Sequence, residues 1–215
     1  MTPAVATEGA VARLFERAAA CVARAAPVRF GVAVSAADLE AVYRLRCEVA
    51  VARGWAPAHA FPDGLERDAH DAAAMQVAGW ARDRVVATGR LVRPGFGRRL
   101  PTEAAFDMTL SGREQLVDIG RVCVASAYRD SAHRVFQGVL GQILCEMRRL
   151  GCQAAATVVT GPVARVYERW GMRVIILGPP RVYWGELRFP ARISPAAAPD
   201  RRLRAVEASA RPERY

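Results

Sequence analysis

The stretch Leu116–Gly151 constrains this chain most. Val117-Asp-Ile-Gly-Arg-Val-Cys-Val124 reads as a buried strand and Ser126-Ala-Tyr-Arg-Asp-Ser-Ala-His133 as a basic turn. From about Ala132 to Leu150, Val135, Val139, Ile143, Leu144 and Met147 then recur at helical spacing. A strand that ends at a helix N-terminus is a general anion-binding device. The first backbone N–H groups of the helix have no internal partner, and the helix dipole adds partial positive charge there. Arg129 and Arg134 flank the turn.

The periodicity predicts a helix over 9–26, a strand over 28–34, and a second helix capped by Ser35 and closed by Gly54. Residues 56–69 form a long loop, and such loops in compact domains commonly carry function. A hairpin follows over 75–80 and 85–92, then an irregular stretch over 94–113 with a helical turn near 103–108. Beyond the central unit come a strand over 154–159, a helix over 162–170 with Pro162 in its first turn, and strands over 173–177 and 182–189. Strands alternating with helices imply an α/β fold with a mixed central sheet flanked by helices. Residues 1–27 read as a helical extension, 28–194 as the main domain, and 195–215 as a tail expected to be disordered.

All 31 basic residues are arginine, and the net charge of +10 implies attraction to anionic partners. The arginines are scattered, without the aromatic platforms of nucleic-acid binders, so no nucleic-acid partner is expected. An acidic carrier protein, a coenzyme or weak association with a membrane surface fits the charge. The five cysteines form no C-x-x-C pair, which argues for a reducing, cytoplasmic setting and against a disulfide framework or zinc site. His59, His70 and His133 lack metal-ligand spacing, so no metal is expected. No uncharged apolar run approaches about 18 residues, so no membrane span is expected either.

Four motifs, in order and spacing, carry a resemblance: Tyr43-Arg-Leu-Arg-Cys-Glu-Val…Arg53-Gly-Trp55, Asp68-x-x-Asp71, Gly89-Arg-Leu91 and Asp118-x-x-Arg121. Over roughly Val28–Ser194 the chain resembles the GNAT acyltransferase superfamily. Within it, the likeness is to N-acyl amino acid synthases and acyl-homoserine-lactone (autoinducer) synthases. The resemblance implies a GNAT fold and an acyltransferase that moves a long fatty acyl chain from acyl carrier protein to the α-amino group of an amino acid. No tightly bound cofactor is implied, only an acyl-phosphopantetheine thioester (acyl-ACP, or else acyl-CoA) as co-substrate. An acyl-homoserine-lactone synthase, an acetyl-CoA-dependent N-acetyltransferase and a catalytically silent GNAT-like binding module are the alternatives.

By the same resemblance, Arg46, Asp68, Asp71, Arg90, Asp118 and Arg121 form a charged cluster beside the acceptor, with Trp55. The same charges would also serve as a structural ion-pair network clamping the 56–71 loop. The synthases carry a phenylalanine where this chain has Ala50, a tryptophan one residue later than Trp55, and a glutamate where it has Asp118. These departures bear on the acceptor more than on the fold. An amino acid's ammonium must lose a proton before it attacks, and Asp118, acting through water with a raised pKa, is the candidate base. A backbone N–H within Val122–Ala125, with Val122 and Val124 foremost, is the expected oxyanion donor. Cys123 reads as core rather than nucleophile. Tyr167 resembles the tyrosine that protonates the leaving thiolate in many GNAT enzymes.

Coenzyme-A users of this superfamily carry glycines in the pyrophosphate turn. The same register here gives Arg129-Asp-Ser-Ala-His-Arg134, which favours the single phosphate of a carrier protein. Arg129, Ser131, Ala132, His133 and Arg134 are therefore the expected phosphopantetheine contacts, with Arg148 and Arg149 as further candidates for the carrier. The helix over 135–150 and the valines at 122, 124, 158 and 159 would line an acyl tunnel or plain core.

Overall fold

The computed structural model describes residues 8–196. Helix α1 (Glu8–Arg24) leads into β1 (Arg29–Ala33) and α2 (Ala36–Ala52). The Ser35 hydroxyl accepts the Asp38 N–H at 3.0 Å and starts α2; Gly54, with φ of 68°, ends it. The hairpin β2 (Ala74–Ala81) and β3 (Arg84–Val92) precedes α3 (Pro101–Phe106). Then come β4 (Leu116–Val124), α4 (Arg134–Arg149), β5 (Ala154–Val159), α5 (Gly161–Arg169) and β6 (Met172–Ile176). The chain closes with β7 (Arg181–Tyr183) and β8 (Glu186–Pro195).

The strands form one mixed sheet ordered β1-β2-β3-β4-β5-β8-β6, with β7 paired to β8. Only β4 and β5 run parallel, and their register stops at Ile119 opposite Thr157. Beyond that point β4 has no β5 partner, so the sheet opens into a gap at the C-terminal end of β4. The main core lies on one face, where α1, α4 and α5 bury Leu14, Ala18, Val139, Ile143 and Trp170 against Val117, Ile119 and Ile193. Helix α2 covers the other face with Val42, Leu45 and Val49.

The expected single strand over 182–189 is two strands instead. Trp184 and Gly185 take positive φ (54° and 67°), a hairpin turn that folds β7 back on β8. Strand β8 then runs past the expected end at Phe189, through Pro190, to Pro195. The first position of the expected tail is thus in the sheet, and the Ala196 N–H donates to Gly171 O at 2.9 Å. The remainder of that tail lies outside the described residues. The expected turn near 103–108 is α3, shifted toward its N-terminal proline.

Helix α1 is built into the main core rather than appended to it. Gly138 and Gly141 of α4 permit the close approach: a Cβ at Gly141 would stand 2.5 Å from the Ala18 carbonyl oxygen. Gly141→Val is therefore expected to force the helices apart and cost about 2 kcal/mol or more. Thermal unfolding checks this, and an unchanged melting temperature would contradict the packing.

Candidate active site

Strand β4 changes phase at one residue. Val117 and Ile119 face the α4 core, and so do Val122 and Val124, because Arg121 sits in a bulge with φ of 53°. Two residues of β4, Arg121 and Val122, stand opposite Gly89 alone, between the Cys123–Thr88 and Gly120–Arg90 pairs. Such an insertion bends the strand and re-aims its side chains. Here it turns Arg121 and Cys123 onto the α2 face, beside Arg90.

There the charges close into a ring. Arg46 of α2 donates to Glu66, and bidentately to Asp71 at 2.8 and 3.1 Å. Arg90 of β3 donates to Asp71 at 3.1 Å and to Asp68 at 2.7 Å. Arg121 of β4 donates to Asp68 at 3.0 Å and to Glu66 at 2.9 Å. Each charge has two opposite neighbours, in the order Arg46, Glu66, Arg121, Asp68, Arg90, Asp71. Arg46 and Arg90 are 1% exposed. Burial alone would push the Asp71 carboxyl up, but the Arg46 hydrogen bonds and the charges of Arg46 and Arg90 hold it well below the usual range. Burial opposes ionisation of Asp68 too, and Arg90 outweighs it. For Arg121, Glu66 and its other neighbours override burial and hold the guanidinium charged.

Five of the six residues expected in the cluster are in this ring, and the sixth is not. Asp118 forms no ion pair with Arg90 or Arg121. Its Oδ2 accepts the Thr102 N–H at 2.7 Å, beneath the first turn of α3. The carboxyl is buried and borders neither cavity described below, and burial pushes it up to about 7. Glu66 takes its place in the ring. The signal was present as Glu66-x-Asp68-x-x-Asp71, three acids in the loop facing three arginines.

Two cavities flank the end of β4. The smaller, about 60 Å³, lies between the ring and the β7–β8 turn, walled by Arg46, Ala50, Trp55, Glu66, Arg121, Tyr183, Trp184 and Arg188. Trp184 lies 4.5 Å under the Arg121 guanidinium. The Trp55 indole N–H donates to Glu186 at 3.0 Å, and Arg188 pairs with Glu186 while lying 4.9 Å over the Trp55 ring. The Arg188 Nε is buried without a partner among the described residues.

The larger cavity is a cleft of about 1660 Å³ between α1, the turn before α4, and α5. Trp55, Val122 and Cys123 line both cavities, so the two meet at the unpaired edge of β4. Val124 also lines the cleft, and its carbonyl accepts the Arg129 Nε at 2.8 Å. Ser131, Ala132 and His133 border the cleft as expected residues of the turn.

Other expected residues lie elsewhere. The Arg134 side chain turns out to Asp130 at 2.8 Å and does not line the cleft. Arg148 and Arg149 sit at the far end of α4, roughly 20 Å along its axis, over Phe15 and paired with Glu146. Tyr167 is in the main core, where burial pushes its phenol up to about 12 despite Thr157 beside it, so it does not reach a thiolate in the cleft. The α4 side chains Val139, Ile143 and Leu144 are core; the apolar lining of the cleft is Val122, Val124, Phe136, Val163 and Val166. Burial pushes the Cys123 thiol up to about 11, which leaves it un-ionised and a poor nucleophile. Among the described residues no cluster of His, Cys, Asp and Glu is placed to hold a metal, and no helix is long and apolar enough to cross a membrane.

Comparison with known proteins finds a domain match over this geometry. Residues 43–137 match the acetyltransferase (GNAT) domain, a span holding every residue of the ring, the β4 edge and the start of α4. No curated protein sequence matches the chain. Among solved structures, FeeM, an N-acyl amino acid synthase from uncultured soil microbes, is 14% identical with a TM-score of 0.58, covering 78% of this chain and 88% of its own. The CoA-dependent acyl-homoserine lactone synthase BjaI is 19% identical with a TM-score of 0.57, covering 80% and 81%. Escherichia coli ElaA is 18% identical with a TM-score of 0.53, covering 77% and 98%. At these identities the likeness is one of fold.

Proposed function

Starting from a chain that carries a GNAT domain, we propose that it is an N-acyltransferase. It moves a long fatty acyl group from an acyl carrier protein thioester to the α-amino group of an amino acid. The observation that carries this reading is the meeting of two unlike cavities at Val122 and Cys123. One is a long basic cleft with an apolar lining, suited to an acyl-phosphopantetheine. The other is a small pocket walled by charges and aromatic rings, suited to a polar acceptor. The small volume favours an amino acid over the nucleoside sulfonium that a lactone synthase needs.

Arg188 is the cation of the small pocket that lies outside the ring, and its unpartnered Nε receives the acceptor carboxylate. The amine then faces the thioester carbonyl at the β4 edge. The backbone N–H groups of Val122 and Val124 stabilise the oxyanion, since the sheet holds them in place before the reaction starts, while that of Ala125 is taken by the Val86 carbonyl at 2.9 Å. The amine sheds its proton through pocket water; Asp118, closed over by Thr102, takes no part directly. Collapse of the tetrahedral adduct breaks the C–S bond and forms the amide; the thiolate takes the second amine proton through pocket water and leaves along the cleft as the thiol.

The test is expression in a bacterial host with mass spectrometry of organic extracts, comparing wild type with Arg188→Ala. Long-chain N-acyl amino acids are expected from wild type. In purified assays Arg188→Ala should raise the acceptor KM at least tenfold while leaving the donor KM unchanged. Acyl-homoserine lactones would move the acceptor assignment to S-adenosylmethionine. No acylated product from folded protein would overturn the reading.

A further inference from the structure

The cleft holds more positive charge than its own carboxylates balance. Arg13, Arg17 and Arg24 of α1, Arg53 after α2, Arg129 of the turn and Arg169 of α5 all line it. None has a carboxylate within ion-pair distance among the described residues. The acids in the lining are Glu16, Asp130 and Glu186; Asp130 is taken by Arg134 and Glu186 by Arg188. On α1 the arginines fall at i, i+4 and i+11, within roughly 40° of one another around the axis and over about 16 Å of its length. They form a single stripe, with Ala20 between Arg17 and Arg24 also facing the cleft. The Gly141 contact with Ala18 seats the opposite side of α1 against α4 and leaves this stripe facing the cleft.

We propose that the arginine stripe of α1, with Arg53, forms a second wall that binds the phosphate at the end of the donor's pantetheine arm, across the cleft from Arg129. This rests on the cleft being the donor site, and it assigns to α1 a binding role outside the matched span 43–137. Guanidinium groups suit phosphate because they donate in a planar fork and keep their charge. Confinement in a concave site strengthens their combined field. The apolar residues Phe136 and Val163 in the same cleft suit the rest of an amphiphilic donor. The phosphate has two sources, a coenzyme A or the prosthetic arm of a carrier protein, and both present the same phosphoryl anion.

Calorimetric titration of the intact chain with coenzyme A, with a holo acyl carrier protein and with pantetheine lacking phosphate tests this without any turnover. Wild type should bind one of the two phosphorylated probes at least tenfold more tightly than pantetheine, with the preference shrinking as salt rises. The probe that shows the preference names the source. Arg13→Ser/Arg24→Ser/Arg53→Ser should abolish the preference and leave pantetheine binding as it was. The matching lysine triple variant, which keeps the charge, should retain most of it, separating a charge role from a packing role. Arg17 is left intact because its guanidinium also holds the Arg169 carbonyl at the end of α5. Equal binding of all three probes, or a preference that survives the serine variant, would overturn the wall while leaving acyl transfer standing. Failure of the wild type to bind any probe would overturn both.

Discussion

Asp71→Ala should lower the melting temperature by about 10 °C. The substitution takes one carboxylate from the ring and leaves Arg46 and Arg90 buried with one opposite neighbour each. Breaking a buried ion pair by removing one partner costs about 3–5 kcal/mol, because the charge left behind has lost its compensation. For a chain of this size each kcal/mol moves the midpoint by about 2–4 °C. Asp71 also accepts the Asp68 N–H at 2.7 Å and the Gln76 side-chain N–H at 2.8 Å, so the loop loses its anchor to β2 as well. Arg67→Ala, which removes the exposed Arg67–Asp63 pair, is the control and should change stability by less than about 1 kcal/mol. Differential scanning calorimetry of both variants decides the matter. An Asp71→Ala midpoint as close to wild type as that of Arg67→Ala would show that the ring does not hold the loop.

Asp118→Asn should remove a dependence of stability on pH that runs opposite to the one Asp71 imposes. In the folded state the Asp118 carboxyl is pushed up to about 7, above its ordinary value near 4. Between those values the native protein holds a proton that the unfolded chain has released. Stability therefore falls as pH rises through that window, by up to about 4 kcal/mol. Asp71 and Asp68, held below the ordinary range, contribute stability that is present above pH 4 and lost as pH falls through their folded values. Urea unfolding at pH 5 and pH 8 should show wild type weaker at pH 8 and the asparagine variant nearly level. Equal wild-type stability at both values would mean that Asp118 ionises in place. The variant also probes the proposed chemistry: acyl transfer by Asp118→Asn should follow the same dependence of rate on pH as wild type, since the proposed route sends the amine proton through pocket water and not through residue 118.

The sequence revealed the elements better than the way they face. Hydrophobic spacing located the strand, turn and helix around β4 because each holds its period for several residues. The family resemblance, not the spacing, places Asp118 with these charges, since period-two counting sets residues 118 and 121 on opposite faces. The bulge at Arg121 brings both onto one face, but the Asp118 carboxyl is taken by the Thr102 N–H instead of the ring. Glu66 goes unread because a loop has no period to carry it, and the expected cluster is already balanced by Asp118. Tyr167 shows the limit of resemblance: its place in a short helix after β5 is similar to the family's tyrosine, but helical phase turns the phenol into the core. The β7–β8 turn went unread because Trp184 adopts a left-handed conformation that tryptophan rarely takes, and it is pinned there by Arg121 and by Phe61, whose ring stacks at 6.4 Å.

The edge of β4 between the two cavities is main chain. The larger cleft is walled mainly by α1, the turn before α4 and α5, and the smaller pocket by α2, the loop and the β7–β8 turn, so apart from Trp55 the walls belong mostly to different segments. Substitutions that reshape one pocket leave the other, and the backbone where they join, largely untouched. On the proposed reading, such a layout lets the donor and the acceptor be exchanged separately, while the strand that would bring them together stays the same.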